Sequence, residues 1–332
     1  MRQYENKGLK ETRAGFGKAL TFLGKKNHKV VALCADLTTS LFMDQFSQEF
    51  PERFFQIGIA EANMIGIAAG LSIGEYIPFA GTFANFATSR VYDQIRQSIA
   101  YSYKNVKICA SHSGLTLGED GATHQSLEDL GMMKMLPGMT VINTCDYNQT
   151  YAATIAISNH FGPVYLRFGR PAVANFTDEN QIFEIGKAIV LTEGKDVTIV
   201  STGHLVWESL EASKILYEKK GIECEVINVH TIKPLDEHTI LKSINKTKCI
   251  VTAEEHNYWG GLGESIARVL TTTIHNNKKN KNKKWSVIQS LVAVNDTFGE
   301  SGKPMELLKK YDIDRESILN HVEFVFKNKN KK

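Results

Sequence analysis

No apolar run in these 332 residues approaches the roughly 20 needed to span a bilayer. The opening stretch, Met1 to Lys10, has no apolar core of the kind a secretory signal needs. The five cysteines (Cys34, Cys109, Cys145, Cys224 and Cys249) are scattered, with no Cys-x-x-Cys pair. That spacing excludes a zinc ribbon and a disulfide framework, and it fits reduced thiols in a cytoplasmic protein. No internal repeat is visible. What remains is 42% hydrophobic and 23% charged residues, a globular composition. The length fits about two domains.

The formal net charge of +3 is misleading. Lys278, Lys279, Lys281, Lys283 and Lys284 lie in one Asn/Lys tract, and Lys327, Lys329, Lys331 and Lys332 in another. Without these nine, the balance is 30 basic to 36 acidic residues. The tracts lack interleaved aromatics, which argues against a nucleic-acid surface. They read as an exposed insertion at 276–284 and a disordered basic tail at 327–332.

The first half alternates β-rich runs with helical patterns. Strands are expected at 30–36, 53–58, 76–81, 106–111, 139–143 and 163–168. Helices are expected near 11–25, 41–49, 61–73, 84–100, 126–135 and 147–158. The strand candidates are nearly continuous apolar runs, as parallel strands covered on both faces are. A second series places strands at 196–201, 224–229, 249–255 and 285–291, with helices near 204–219, 236–245, 260–274 and 303–310. Repeated βα units predict two doubly wound α/β domains, at 1–175 and 187–326, joined by a linker at 176–186.

In open α/β sheets, ligands bind beyond the carboxyl ends of the strands. The residues there are Asp36 and Ser40, then Glu61, then Phe83 and Phe86, then His112, Glu119, Asp120, His124 and Gln125, and finally Arg167. Each has a structural reading too. Asp36 and Ser40 suit a helix cap. Glu61 suits a first helical turn. Phe83 and Phe86 suit a core, the histidines an ordinary loop, and Arg167 an ion pair. Five polar or aromatic loops on one rim nonetheless look like a site, though they do not identify its chemistry.

Three segments do identify it. H-S-G-L-T-L-G-E-D-G-A-T-H-Q (112–125) resembles the substrate loop of the transketolase family. G-I-A-E-A-N-M-I-G-I-A-A-G-L-S (58–72) resembles its helix with the cofactor-activating glutamate, and T-F-A-N-F (82–86) its pyrimidine-stacking segment. The resemblance continues through 254–267 and covers nearly the whole chain. It implies a pyrimidine-binding domain with a mainly parallel sheet, followed by a transketolase C-terminal domain with a mixed sheet. It also implies thiamine diphosphate as cofactor. Glu61 would hydrogen-bond the pyrimidine ring and share a proton with it, while the cofactor serves as electron sink. Phe86 and Phe83 would line the pyrimidine pocket, and Asp36 would lie near the cofactor across a subunit interface. His112, Asp120 and His124 would meet the sugar and take part in catalysis. Arg13, Ser40 and Arg167 would hold a substrate phosphate. One departure is Ser89, where the family has a tyrosine beside the pyrimidine. Tyr92 in S-R-V-Y-D-Q-I-R is a candidate substitute, in a helix more like that of deoxyxylulose-phosphate synthase.

The family's Gly-Asp-Gly…Asn motif, which holds the diphosphate through Mg²⁺, is missing. No metal ligand is therefore expected on this chain. A separate N-terminal subunit would supply the metal site in an α2β2 assembly acting on sugar phosphates. Nucleic acid and membrane partners are not expected. The rival enzymes are a 2-oxoacid dehydrogenase E1 β subunit and a deoxyxylulose-phosphate synthase-like protein. The rival outside catalysis is an assembly or regulatory subunit.

Overall fold

The computed structural model describes residues 4–276 and 287–329. The first half runs β1 (Leu9–Glu11), α1 (Thr12–Lys26), β2 (Val30–Cys34), α2 (Asp44–Glu49), β3 (Phe54–Gln56), α3 (Glu61–Ile73), β4 (Ile77–Phe83), α4 (Tyr92–Gln94), β5 (Lys107–Ser111), α5 (Asp129–Met135), β6 (Thr140–Asn143), α6 (Tyr147–Ser158), β7 (Val164–Arg167) and β8 (Ala172–Ala174). The second half runs β9 (Ile189–Thr192), β10 (Val197–Ser201), α7 (Leu205–Lys220), β11 (Cys224–Asn228), β12 (Thr231–Lys233), α8 (Glu237–Thr247), β13 (Cys249–Asn257), α9 (Leu262–Asn276), β14 (Ile288–Val294), α10 (Pro304–Lys310) and α11 (Arg315–Asn328).

The larger sheet has seven strands in the order β12-β6-β7-β5-β4-β2-β3. All its pairings are parallel except β12 on β6. The smaller sheet has the order β14-β13-β10-β11-β9, parallel except for β9 on β11. β2, β5, β6, β7, β10 and β11 are buried along their whole length, which is why their sequences are apolar without alternation. This is the expected α/β class, with a mainly parallel sheet and a mixed one.

The structure adds what the apolar runs did not signal. β12 comes from the second half of the chain yet closes the edge of the first sheet at β6, covering its free backbone groups. One apolar cluster spans both halves: Leu130, Met133 and Val141 pack with Ile227, Ile232, Ile250 and Ile266. The two sheets therefore share a core. Helix α11 had no counterpart in the sequence reading. Asp314 caps it through the Ser317 amide, and Ile318, Val322 and Val325 bury one face. It carries order to Asn328, past the expected start of the tail at 327, and Lys329 Nζ donates to the Asp196 carbonyl at 2.9 Å. The Asn/Lys tract from 277 to 284 and residues 330–332 lie outside the described residues. Among the described residues, no helix is long and apolar enough to cross a membrane.

The expected helix at 84–100 is also different. Residues 84–91 form turns, α4 is one short turn, and Ile95–Tyr101 winds as a π-helix. Side chains compete with the helix here: Thr88 Oγ1 donates back to the Ala84 carbonyl, and Asn85 Nδ2 donates to the Thr123 carbonyl at 2.6 Å. The second bond ties this segment to the loop after β5. Wide π turns are frequent beside functional sites.

Two glycines set the approach of α1 to its neighbours. A Cβ on Gly15 would lie 2.4 Å from the Tyr147 carbonyl oxygen, and one on Gly17 would lie 2.1 Å from that of Phe42. Only glycine allows α1 to pack so close, and this packing fixes Arg13 against the loop after β2.

Candidate functional site

Glu61 is the first residue of α3, placed there by the short loop after β3. It is 4% exposed, although a first-turn acid on a surface helix would normally be solvated. The positive end of the helix favours its charge. Arg90 Nη1 donates to Glu61 Oε2 at 3.4 Å. The same guanidinium lies over the Phe86 ring, 4.5 Å from its centroid. Phe86 and Phe83 are near parallel, with centroids 6.0 Å apart and planes 18° apart. Phe83 in turn stacks on the His112 ring at 3.8 Å. Phe86 meets the His124 ring edge-on at 5.2 Å. Glu61, Phe83, Phe86, His112 and His124 thus form one continuous group drawn from three strand ends.

His112 sits just past β5 in the left-handed region, with φ 55°. Its Nδ1 and Ser111 Oγ are 2.8 Å apart. Burial lowers its pKa to about 3, helped by the positive charges of Arg13 and Arg170. His112 is therefore neutral across the physiological range. Because its folded value lies below the unfolded one, its contribution to stability is complete above about pH 6.5 and fades as the pH falls towards the lower value. Carbon-13 NMR of the ring should show a neutral imidazole from pH 8 down to pH 5. Arg170→Ala should move the transition upward, and a midpoint near 6.5 in the intact protein would contradict the buried placement.

Arg13 Nη1 donates to the Ser40 carbonyl at 3.0 Å, Nη2 donates to Glu11 Oε1 at 2.6 Å, and the guanidinium lies over Phe42. The structure therefore brings Arg13 against the Ser40 backbone, close enough to His112 for its charge to act on that ring. Asp36 is exposed in the left-handed region at φ 57°, and its amide is held by Gln56 Oε1 at 2.7 Å. Asp120 is exposed at the tip of its loop, and His124 is half-buried with its Nδ1 3.0 Å from Thr123 Oγ1.

Arg167 does not join them. It is 2% exposed: its Nε donates to Asp129 Oδ2 at 2.7 Å, and one terminal nitrogen donates to the Glu255 carbonyl at 2.9 Å. As the last residue of β7 it points into the core between the two sheets. The arginine that reaches the rim is Arg170, three residues on, beyond the strand end. It is half-buried, and its Nη1 donates to the Leu117 carbonyl at 2.7 Å and to Glu119 Oε2 at 2.9 Å. The signal was in the sequence: the residue that can face a ligand lies past the strand, in Gly-Arg-Pro. Arg90 was also missed, since a helix was expected where turns turn it back on Glu61. The Ser89 hydroxyl donates to Asn85 Oδ1 at 2.9 Å, and the Tyr92 hydroxyl donates to the Met132 carbonyl at 3.2 Å. The Tyr92 hydroxyl is thus engaged with α5.

Two α/β domains sharing a core, with a buried carboxylate and an aromatic ladder along one rim, define a chain of the doubly wound class. The family described as transketolase, pyrimidine binding domain, matches residues 10–175, and that described as transketolase, C-terminal domain, matches residues 186–318. The chain belongs to the transketolase family, as a subunit of the C-terminal type. A protein of Clostridium sp. (strain MSTE9), 6-deoxy-6-sulfo-D-fructose transketolase subunit SqwH, is 42% identical over 92% of this chain and 91% of its own length. The Homo sapiens transketolase is 38% identical over 94% of this chain, but only 48% of its own length is matched. A solved structure described as a split gene transketolase, inactive beta4 tetramer, superposes with a TM-score of 0.87 at 42% identity, covering 96% of this chain and 99% of that one.

Proposed function

We propose that this chain is the C-terminal half of a split transketolase that moves a two-carbon ketol unit between sugar phosphates. The observation that carries this is Glu61, buried at a helix start and placed beside the Phe83–Phe86 ladder. A buried acid next to flat apolar rings suits an aminopyrimidine, which offers a ring nitrogen and π faces. The residues present therefore fit thiamine diphosphate, which when bound supplies the electron sink for carbon–carbon cleavage. Glu61 would hold a proton at the pyrimidine nitrogen, and Phe86 and Phe83 would wall the ring from water. Asp36 would border the cofactor from a second subunit. His112 and His124 would hold the sugar carbonyl end, with neutral His112 able to donate or accept one hydrogen bond. Asp120 would read a hydroxyl near the carbonyl.

Arg13, Ser40 and Arg170 would hold the anionic end of the substrate. Two guanidinium groups suit a tetrahedral oxyanion, phosphate or sulfonate alike. This pair and the histidines favour a sugar phosphate over a 2-oxo acid, which would leave them without partners. The diphosphate and its Mg²⁺ would be held by an N-terminal subunit with the Gly-Asp-Gly…Asn motif, in an α2β2 assembly. Five unpaired, buried thiols suit a cytoplasmic setting.

Isothermal titration tests the split. The chain alone should not bind thiamine diphosphate and Mg²⁺ tightly, whereas the mixture with its partner should, and should turn over a ketose phosphate but not pyruvate. Tight cofactor binding by the chain alone would overturn the division of labour.

A further inference from the structure

Glu255 belongs to the second domain, after strand β10 in chain order and far in sequence from the rim of the first sheet. Glu255 lies in β13, is 4% exposed, and reaches across to the loop after β5. Its Oε1 accepts from the Thr116 amide at 2.5 Å. A Cβ on Gly114 would lie 2.3 Å from the same oxygen, so the carboxyl group packs directly on the backbone of the loop. His204, at the start of α7, lies 3.9 Å from Glu255 Oε2 and packs against Gly169 at the base of the Arg170 turn. Burial raises the Glu255 pKa, against the opposing charge of Arg167.

A second contact from the same domain holds the far side of the loop. Gln125 Nε2 donates to the Leu115 carbonyl at 3.1 Å and to the Glu300 carbonyl at 3.0 Å. A Cβ on Gly299 would lie 1.9 Å from Gln125 Oε1, and one on Gly121 would lie 2.4 Å from Ser301 Oγ. The segment 112–125 is thus clamped between Phe83 on one side and Glu255 and residues 299–301 on the other. It carries His112, Asp120 and His124, while Glu61 is held by a different element.

We propose that Glu255 is a positioning residue for substrate: the second domain sets the geometry of the sugar-binding loop through the Glu255–Thr116 hydrogen bond and the Gly299–Gln125 contact. This rests on the transketolase reading above. The bond asks only for an acceptor at Oε1, so a neutral amide can replace the carboxyl group there, whereas a methyl group cannot.

The test uses the chain assembled with its partner subunit. Glu255→Ala should raise KM for a ketose phosphate about tenfold while thiamine diphosphate affinity stays within twofold, because loss of loop geometry weakens sugar contacts but leaves the Glu61 pocket intact. Glu255→Gln should restore KM to near the parent value. Gly299→Ala should raise KM in the same way without altering any charge, and it decides the question should Glu255→Ala fail to fold. Unchanged KM in the folded variants, or an equal loss of cofactor affinity, would overturn the proposal. If the parent assembly shows no two-carbon transfer, the transketolase reading fails instead. Hydrogen exchange at the Thr116 amide then still decides the clamp: faster exchange in Glu255→Ala but not Glu255→Gln supports it, and equal protection in all three refutes it.

Discussion

Glu61→Ala in the assembled enzyme is expected to lower kcat by about a thousandfold, the size of effect seen when a positioned proton-transfer group is removed. Glu61→Gln should fall nearly as far, because the amide keeps the shape and hydrogen-bonding reach of the carboxyl group but cannot share a proton. Cofactor affinity, read by titration, should change much less, since the aromatic walls at Phe83 and Phe86 remain and the diphosphate is held elsewhere. The placement makes this a clean test. Among the described residues, Glu61 takes part in no buried network beyond the Arg90 contact at its mouth, so removing it should leave the fold intact. Turnover by Glu61→Ala at the parent rate would show that the proposed chemistry is wrong.

The second large effect concerns stability. Asp129 and Arg167 form an ion pair with almost no solvent exposure, and Asp129 Oδ2 also accepts from the Tyr165 hydroxyl at 2.7 Å. Burial alone would push the Asp129 carboxyl up, but Arg167, the nearby His256 and the hydrogen bonds from Arg167 and Tyr165 hold it below its ordinary value. Removing one partner strands the other charge in the core. Arg167→Met should destabilise the chain by about 3–5 kcal/mol, seen as a lower urea midpoint. The double variant Arg167→Met, Asp129→Leu should recover part of the loss, because no charge is left unpaired. The pair's contribution is complete above the ordinary aspartate pKa and is lost as the pH falls through the lowered one. A midpoint unchanged in Arg167→Met would show that the buried pair does not stabilise the fold.

The same residue shows where reading the chain worked and where it stopped. Parallel strands covered by helices leave nearly continuous apolar runs, so β2 to β7, β10, β11, β13 and β14 could largely be found from hydropathy alone. The exceptions were the short strands β1, β8, β9 and β12, whose pairing is decided by what lies beside them. Elements whose order rests on a few side-chain bonds, such as the turns at 84–91, carry no periodic signal and were taken for a helix.

The site divides in the same way. The candidate residues Glu61, Phe83, Phe86, His112 and His124 stand out in the sequence because each lies at or beyond a strand end in a distinctive local motif, and strand ends converge on one rim. Local sequence therefore pointed to the family and to the chemistry proposed for it. It could not say which of two arginines, three residues apart, faces the rim. That depends on where β7 ends, and so on which one meets Asp129 and Glu255 in the core. Nor could it assign Glu255, because the Thr116 amide lies 139 residues away in sequence. Only the docking of the two sheets on a shared core turns a residue of the second domain towards the loop of the first.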